Sequence, residues 1–333
     1  VDVEKLSLSA YNDLVIAHPE KKFPVEQSPQ WGAFQDTIPG RHFLGMFALQ
    51  HKGTPIALVS PLQLTMKGYS YIWVNQGPIW LVEPTPEAVQ QVTQALRHIV
   101  TQHATKPILF VRAHFPSKPP SGLPAYSQSL IQKTTIVDLT QPFDQVLATM
   151  SQGGRRAMRK AQKAGISISE VPAAQAAEDF SPYYQILRET ATRDGFFVHP
   201  ESTYVSMLTE LKDVVRFFVA RNSRNEPVAW ALDTSYNHHA IYYYGASNEE
   251  GRDAQAPYLL HIEIMKRLQN EGVAAYDFLG IGSKSYPGLQ GVTQFKLRFG
   301  GPEVDYVPTY DIPLKAQYRP WKWAQKLKYR LRK

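Results

Sequence analysis

Cysteine is absent from all 333 residues. Disulfides, thiolate-bound metals and a cysteine nucleophile are therefore excluded. The absence also fits a reducing compartment. No run of about 18 apolar residues occurs, so no membrane-spanning helix is expected. The N-terminal VDVEKLSLSAYND has no basic stretch leading into an apolar run, so no signal peptide is expected. A soluble, cytoplasmic protein is the resulting expectation. The ten histidines form no metal-ligand spacing, and the adjacent His238 and His239 would point apart on a strand. No metal is expected.

Acid is missing too, locally. After Asp311 come Lys315, Arg319, Lys322, Lys326, Lys328, Arg330, Arg332 and Lys333, with no Asp or Glu. Against a formal net charge of +7, these eight basic residues leave the rest of the chain nearly neutral. A second basic run holds Arg155, Arg156, Arg159, Lys160 and Lys163. Such runs suit RNA phosphates, pyrophosphate groups or an anionic membrane face; a solvated helix face is the ordinary alternative. The hydrophobic fraction of 43% is enough for two cores.

The two halves repeat. MFALQHKGTPIALVSPLQL, YSYIWVNQGPI, a helix and PILFVRAHF answer to FFVARNSRNEPVAWALDTSY, HAIYYYGASNE, a helix and AAYDFLGIG. Each reads as strand, turn, strand, strand, helix, strand. His51-Lys52-Gly53-Thr54 and Asn222-Ser223-Arg224-Asn225 supply turn residues. Thr85 followed by Pro86 starts the first helix, and Val89, Val92, Leu96, Ile99 and Val100 fall on one face of it. Leu260, Ile264 and Leu268 do the same in the second copy. Two helices, over about 174–193 and 200–212, precede the second repeat. The expected class is α+β: tandem acetyltransferase-like (GNAT-like) domains with mixed, largely antiparallel sheets and flanking helices. Domain 1 is predicted over 1–140 and domain 2 over 141–305. The segment 306–333 is predicted to return to domain 1, with VPTYDIPL as a strand and a basic amphipathic helix from Pro320.

Several motifs occur in order: Gln27-Ser28-Pro29-Gln30-Trp31, Gln76-Gly77-Pro78, IVDLT before RRAMRKAQKAGISI, Tyr242 to Ser247, Tyr276-Asp277-Phe278-Leu279-Gly280-Ile281, and Gln294-Phe295-Lys296. Through them the chain resembles the FemABX family of peptidoglycan interpeptide-bridge aminoacyltransferases, in its smaller members without a helical arm. The resemblance implies a paired acetyltransferase-like fold. It also implies transfer of an amino acid from aminoacyl-tRNA to the stem-peptide amine of a peptidoglycan precursor, lipid-linked or UDP-linked. An activated ester needs no ATP, and no cofactor is expected. By the resemblance Lys296 is the catalytic candidate, facing the oxyanion or the tRNA end, with Phe295 offering a surface for a base. The ordinary alternative is a strand pair, Phe inward and Lys outward.

The resemblance also points to Tyr244, Tyr204, His199 and Trp31 as substrate-binding. His199 stands where the family commonly shows Arg, which makes phosphate recognition weaker there. Alternation places Tyr243 opposite Tyr242 and Tyr244. Arg155 and Arg156 are candidates for polyanion contact. Asp277 is a candidate for orienting an amine, or for satisfying backbone N–H groups in a turn. His114 is a candidate base or a structural histidine. Two other classes stay open. An acyl-CoA-dependent N-acetyltransferase would need a glycine-rich pyrophosphate loop, where Arg252-Asp253-Ala254-Gln255-Ala256-Pro257 stands instead. A non-catalytic polyanion- or membrane-binding module would use the basic C-terminal segment, whose Trp321, Trp323, Leu327, Tyr329 and Leu331 suit an anionic membrane surface.

Overall fold

The structure is a computed structural model and describes residues 1–125, 131–282 and 290–330. Leu331, Arg332, Lys333 and the side chains of Lys328, Tyr329 and Arg330 lie outside the described residues. The chain divides into two compact units, 1–130 with 307–333, and 131–306.

The first unit holds two sheets. A four-stranded sheet runs Asp2–Leu6, Met46–His51, Thr54–Val59, Ile79–Trp80. A six-stranded sheet runs Arg41–Phe43, Leu62–Met66, Tyr69–Val74, Ile108–His114, Thr309–Pro313, Leu123–Pro124. Thr54–Val59 and Leu62–Met66 belong to different sheets. Pro61, between them, has no N–H to continue a ladder. Gln27 fastens this corner: its Oε1 accepts the Ser60 N–H at 2.8 Å, and its Nε2 donates to the Asn75 carbonyl at 2.5 Å. A Cβ on Gly77 would lie 2.7 Å from the Gln27 side chain. The Gln27-Ser28-Pro29 and Gln76-Gly77-Pro78 motifs therefore meet. Helix Pro86–His103 is capped by Thr85 and buries Val89, Val92, Leu96 and Ile99.

The last strand is locked in by a buried ion pair. Arg112 donates to both oxygens of Asp311, at 2.6 and 2.9 Å, and the Tyr318 hydroxyl donates to Asp311 at 2.7 Å. Asp311 is fully buried.

The second unit is one seven-stranded sheet: Ser167–Val171, Val215–Arg221, Pro227–Tyr236, His239–Ser247, Ala275–Asp277, Lys133–Asp138, Glu303–Asp305. Val215–Arg221 alternates its aromatics. Phe218 joins the core formed with helices Gln152–Lys163 and Ala256–Asn270. Phe217 faces the other way, against Phe180, Tyr183 and Trp230.

Two sequence boundaries move. Strand Lys133–Asp138 was expected to end domain 1, with the junction near 140. It pairs instead with Ala275–Asp277 and Glu303–Asp305, so the second unit begins at Ile131. The helix expected over 174–193 is two, Ala173–Glu178 and Ser181–Asp194. Asp179 leaves the helical conformation between them (φ -142°, ψ 84°), and Pro182 opens the second as a first-turn proline.

Candidate active site

In the second unit, His239–Ser247 and Ala275–Asp277 run parallel for three pairs, ending at Ile241↔Asp277. Beyond that point the first strand continues and the second turns away. The turn uses left-handed backbone at Leu279 (φ 52°) and Gly280 (φ 37°). Asp277 holds it. Its Oδ1 accepts the Leu279 N–H at 2.8 Å and the Thr134 hydroxyl, and its Oδ2 accepts the Tyr306 hydroxyl at 3.1 Å. With its carboxylate so occupied and buried, Asp277 acts as a turn former; of its two sequence readings, the geometry favours that one.

Lys296 reaches this turn. It lies on helix Gln290–Leu297, so the inward-outward alternation of a strand does not apply. Its Nζ donates to the carbonyls of Leu279 and of Gly280, the latter at 2.8 Å. The Tyr242 ring centre is 5.7 Å from Nζ. Burial pulls the Lys296 ammonium down to about 7, with the charge of Asp277 opposing. A lysine in that range can both carry and release a proton near neutral pH. Phe295 sits beside rings of the core: Tyr258 at 5.1 Å, Phe299 at 5.2 Å and His261 at 5.7 Å.

Behind Lys296 runs a buried polar chain that the sequence reading did not find. His261 Nδ1 donates to the Tyr276 hydroxyl oxygen at 2.9 Å, and that hydroxyl donates to Asp233 Oδ2 at 2.9 Å. All three side chains are buried. Burial, aided by the Lys296 charge, pushes His261 down to about 3. Burial pushes the Asp233 carboxyl well up. Both shifts favour the uncharged form, as a low-dielectric site demands, and His261 is neutral at pH 7. His261 and Lys296 share the Tyr242 ring, which lies 4.4 Å from the imidazole.

Tyr242 and Tyr244 were expected on one face and are not. Leu232 opposes Tyr244 while Asp233 opposes Tyr242, leaving Tyr243 as the extra residue of a bulge. Tyr242 therefore meets His261 and Phe278, whereas Tyr244 meets Tyr204 at 5.0 Å and His199 at 6.4 Å. Tyr204 is buried, and its hydroxyl accepts the His199 N–H at 3.3 Å. It props the turn into helix Glu201–Glu210, leaving Tyr244 and His199 as the more accessible members of this cluster.

The basic run lies on helix Gln152–Lys163, capped by Ser151. Arg155 is turned back onto the Ala148 carbonyl, at 3.0 Å, and the Met150 carbonyl. Arg156 is exposed. Trp31 is in the first unit, buried on helix Pro29–Asp36 and 5.3 Å from Phe34. His114, also in the first unit, donates from Nδ1 to the Val307 carbonyl at 3.0 Å. That bond fixes its tautomer, and burial lowers its pKa. The cleft lined by Glu170, Glu263, Arg267 and Glu271 holds none of the candidate residues.

Residues 150–296, the stretch ending at Lys296, match the acetyltransferase (GNAT) domain family. No match was found among curated protein sequences. Among solved structures, the crystal structure of FemX superposes with a TM-score of 0.77 at 15% identity, over 97% of this chain and 99% of that one. The fold is FemX-like. A tandem GNAT protein from the clavulanic acid biosynthesis pathway superposes at 0.56 with 14% identity, over 93% of this chain and 97% of that one. L-PGS from Bacillus licheniformis gives 0.54 at 12% identity, over 93% and 94%. The FemX-like fold thus spans both units, and the acetyltransferase (GNAT) match lies within the second.

Proposed function

We propose that the chain transfers an amino acid from aminoacyl-tRNA to the stem-peptide amine of a peptidoglycan precursor, in the cytoplasm. The observation that carries this reading is the seat of Lys296: a buried ammonium, balanced near neutrality, on two carbonyls where two parallel strands part. The FemX-like fold of the whole chain supports it.

In this reading the amine nitrogen attacks the ester carbonyl carbon, a C–N bond forms, and the bond from carbonyl carbon to ribose oxygen breaks. Lys296 stabilises the oxyanion and gives a proton to the departing ribose oxygen. It regains one from the proton that the attacking amine sheds. No net proton is consumed, and the ester supplies the driving force. Positioning and charge stabilisation are the enzyme's contribution. Tyr244 and His199 line the precursor side, and Arg156 is available to RNA phosphate.

The start of helix Ala256–Asn270 argues against CoA as donor. Gln255 is left-handed there, and Pro257 lies in the first turn without an N–H. A pyrophosphate clamp needs several such N–H groups. The test is incubation with charged tRNAs and with UDP-linked and lipid-linked precursors, read by product mass. A precursor heavier by one aminoacyl residue is expected. Acetyl transfer from acetyl-CoA, with no aminoacyl product, would overturn the reading in favour of an N-acetyltransferase.

A further inference from the structure

Helix Tyr318–Arg330 in the first unit has two unlike faces. Tyr318 and Trp321 turn inward and pack with Leu109 and Phe110, beside Tyr69 and Tyr71. Lys322 is tied to the Pro124 carbonyl at 2.6 Å. About 140–180° around the helix from Tyr318, at 100° per residue, lie Trp323 and Leu327. They are 66% and 41% exposed, a large apolar pair at i, i+4. Arg319 and Lys326 lie along one side of the pair and are exposed.

At the foot of this helix is an open cavity of about 480 Å³ lined by Lys118, Ser121, Leu123, Lys315 and Arg319, among others. No acidic side chain lines it. Lys118, Lys315 and Arg319 are exposed and make no ion pair among the described residues. Three unneutralised cations lining one hollow give it a positive potential that favours an anion.

We infer that this face of the first unit docks on an anionic phospholipid surface, with Trp323 and Leu327 in the headgroup–acyl boundary and a lipid phosphate in the Lys118–Lys315–Arg319 hollow. The two features are continuous, because Arg319 belongs to both. Leucine decides the kind of partner. A helix that tracks RNA presents cations and stacking rings, and an exposed Leu327 gains nothing there. In an interface it buries its side chain beside tryptophan, with cations at headgroup level. None of the described helices is long and apolar enough to cross a membrane, so the contact is peripheral. The inference does not depend on which acyl group the second unit moves.

The test uses the full chain and sedimentation with vesicles of phosphatidylcholine alone or with 30% phosphatidylglycerol (roughly the anionic fraction that gives a strong surface potential). Binding to the anionic vesicles, a blue shift of tryptophan emission, and weakening by salt are expected. Lys315→Gln/Arg319→Gln should weaken partitioning about 25-fold at low salt, at roughly fivefold per cation. Trp323→Ser/Leu327→Ser should remove the blue shift. Circular dichroism keeps folding separate from binding, since all four side chains are exposed. Equal binding to neutral vesicles, or unchanged partitioning in both variants, would overturn the inference. So would a loss of tRNA binding in the variants with vesicle binding intact, which would make this an RNA face.

Discussion

Replacing Lys296 by Met should separate stability from activity. A pKa of about 7 against 10.5 for a free lysine means that keeping the buried group charged costs about 5 kcal/mol at and below neutral pH, at about 1.4 kcal/mol per tenfold. Methionine removes that burden. It also takes a donor from the Leu279 and Gly280 carbonyls, at about 1–3 kcal/mol each. These terms offset, so the variant should match wild type to within a few kcal/mol at pH 7. The pH dependence is the sharper readout. Between pH 7 and 10.5 the unfolded wild-type chain holds a proton that the folded chain has released. Wild-type stability therefore rises with pH across that window, relative to the variant. From pH 7 to 9 the gain is about 2 kcal/mol. Urea denaturation of both proteins at pH 7, 8 and 9 measures it, because other titrating groups cancel in the difference. Aminoacyl transfer should fall about 10²–10³-fold, the loss typical of one oxyanion donor. Parallel stability profiles would refute the desolvated seat, and undiminished transfer would refute the catalytic role.

Asp311→Ala strands the Arg112 guanidinium in the first core and should cost about 3–5 kcal/mol by denaturant titration; a loss below 1 kcal/mol would mean that water reaches the pair. Tyr244→Phe keeps the ring against Tyr204 and should raise the KM for precursor with little change in melting temperature; an unchanged KM removes Tyr244 from the precursor site. Transfer should persist at full rate after exhaustive chelation and with no CoA present, and a strict need for either would reassign the reaction class.

The repeat was legible because its signals are local. Turn residues at Gly53 and Asn225, the Thr85-Pro86 helix start and the stripes through Leu96 and Ile264 each declare themselves within a few residues. What was hidden depends on partners far along the chain. Lys133–Asp138 looks like any strand until its pairing with Asp277 is known. The bulge at Tyr243 exists only as a register difference against Leu232 and Asp233, so alternation read from one strand misplaces Tyr244. Lys296 lies on a helix and not on the strand that its ordinary alternative assumed, and Val292, Phe295 and Phe299 already follow helical spacing. A signal for the buried chain was also present. His261 stands on the apolar face through Leu260, Ile264 and Met265, where an imidazole needs a partner; Tyr276, fifteen residues on, could not be named from sequence.

The strand Thr309–Pro313 enters between Ile108–His114 and Leu123–Pro124, and this bears on the order of synthesis. Domains usually fold as they emerge, N-terminal first, at about 5–20 residues per second. Here the first unit leaves the ribosome with a gap in its sheet and with Arg112 lacking the Asp311 carboxylate. Both persist until all of 131–306 has been made, on the order of ten to thirty seconds later. The second unit is contiguous and can close in that interval. The half of the protein that is translated first is therefore completed last. During the wait it presents an open strand edge, which a chaperone would need to shield and which a nascent neighbour on the same messenger could pair with.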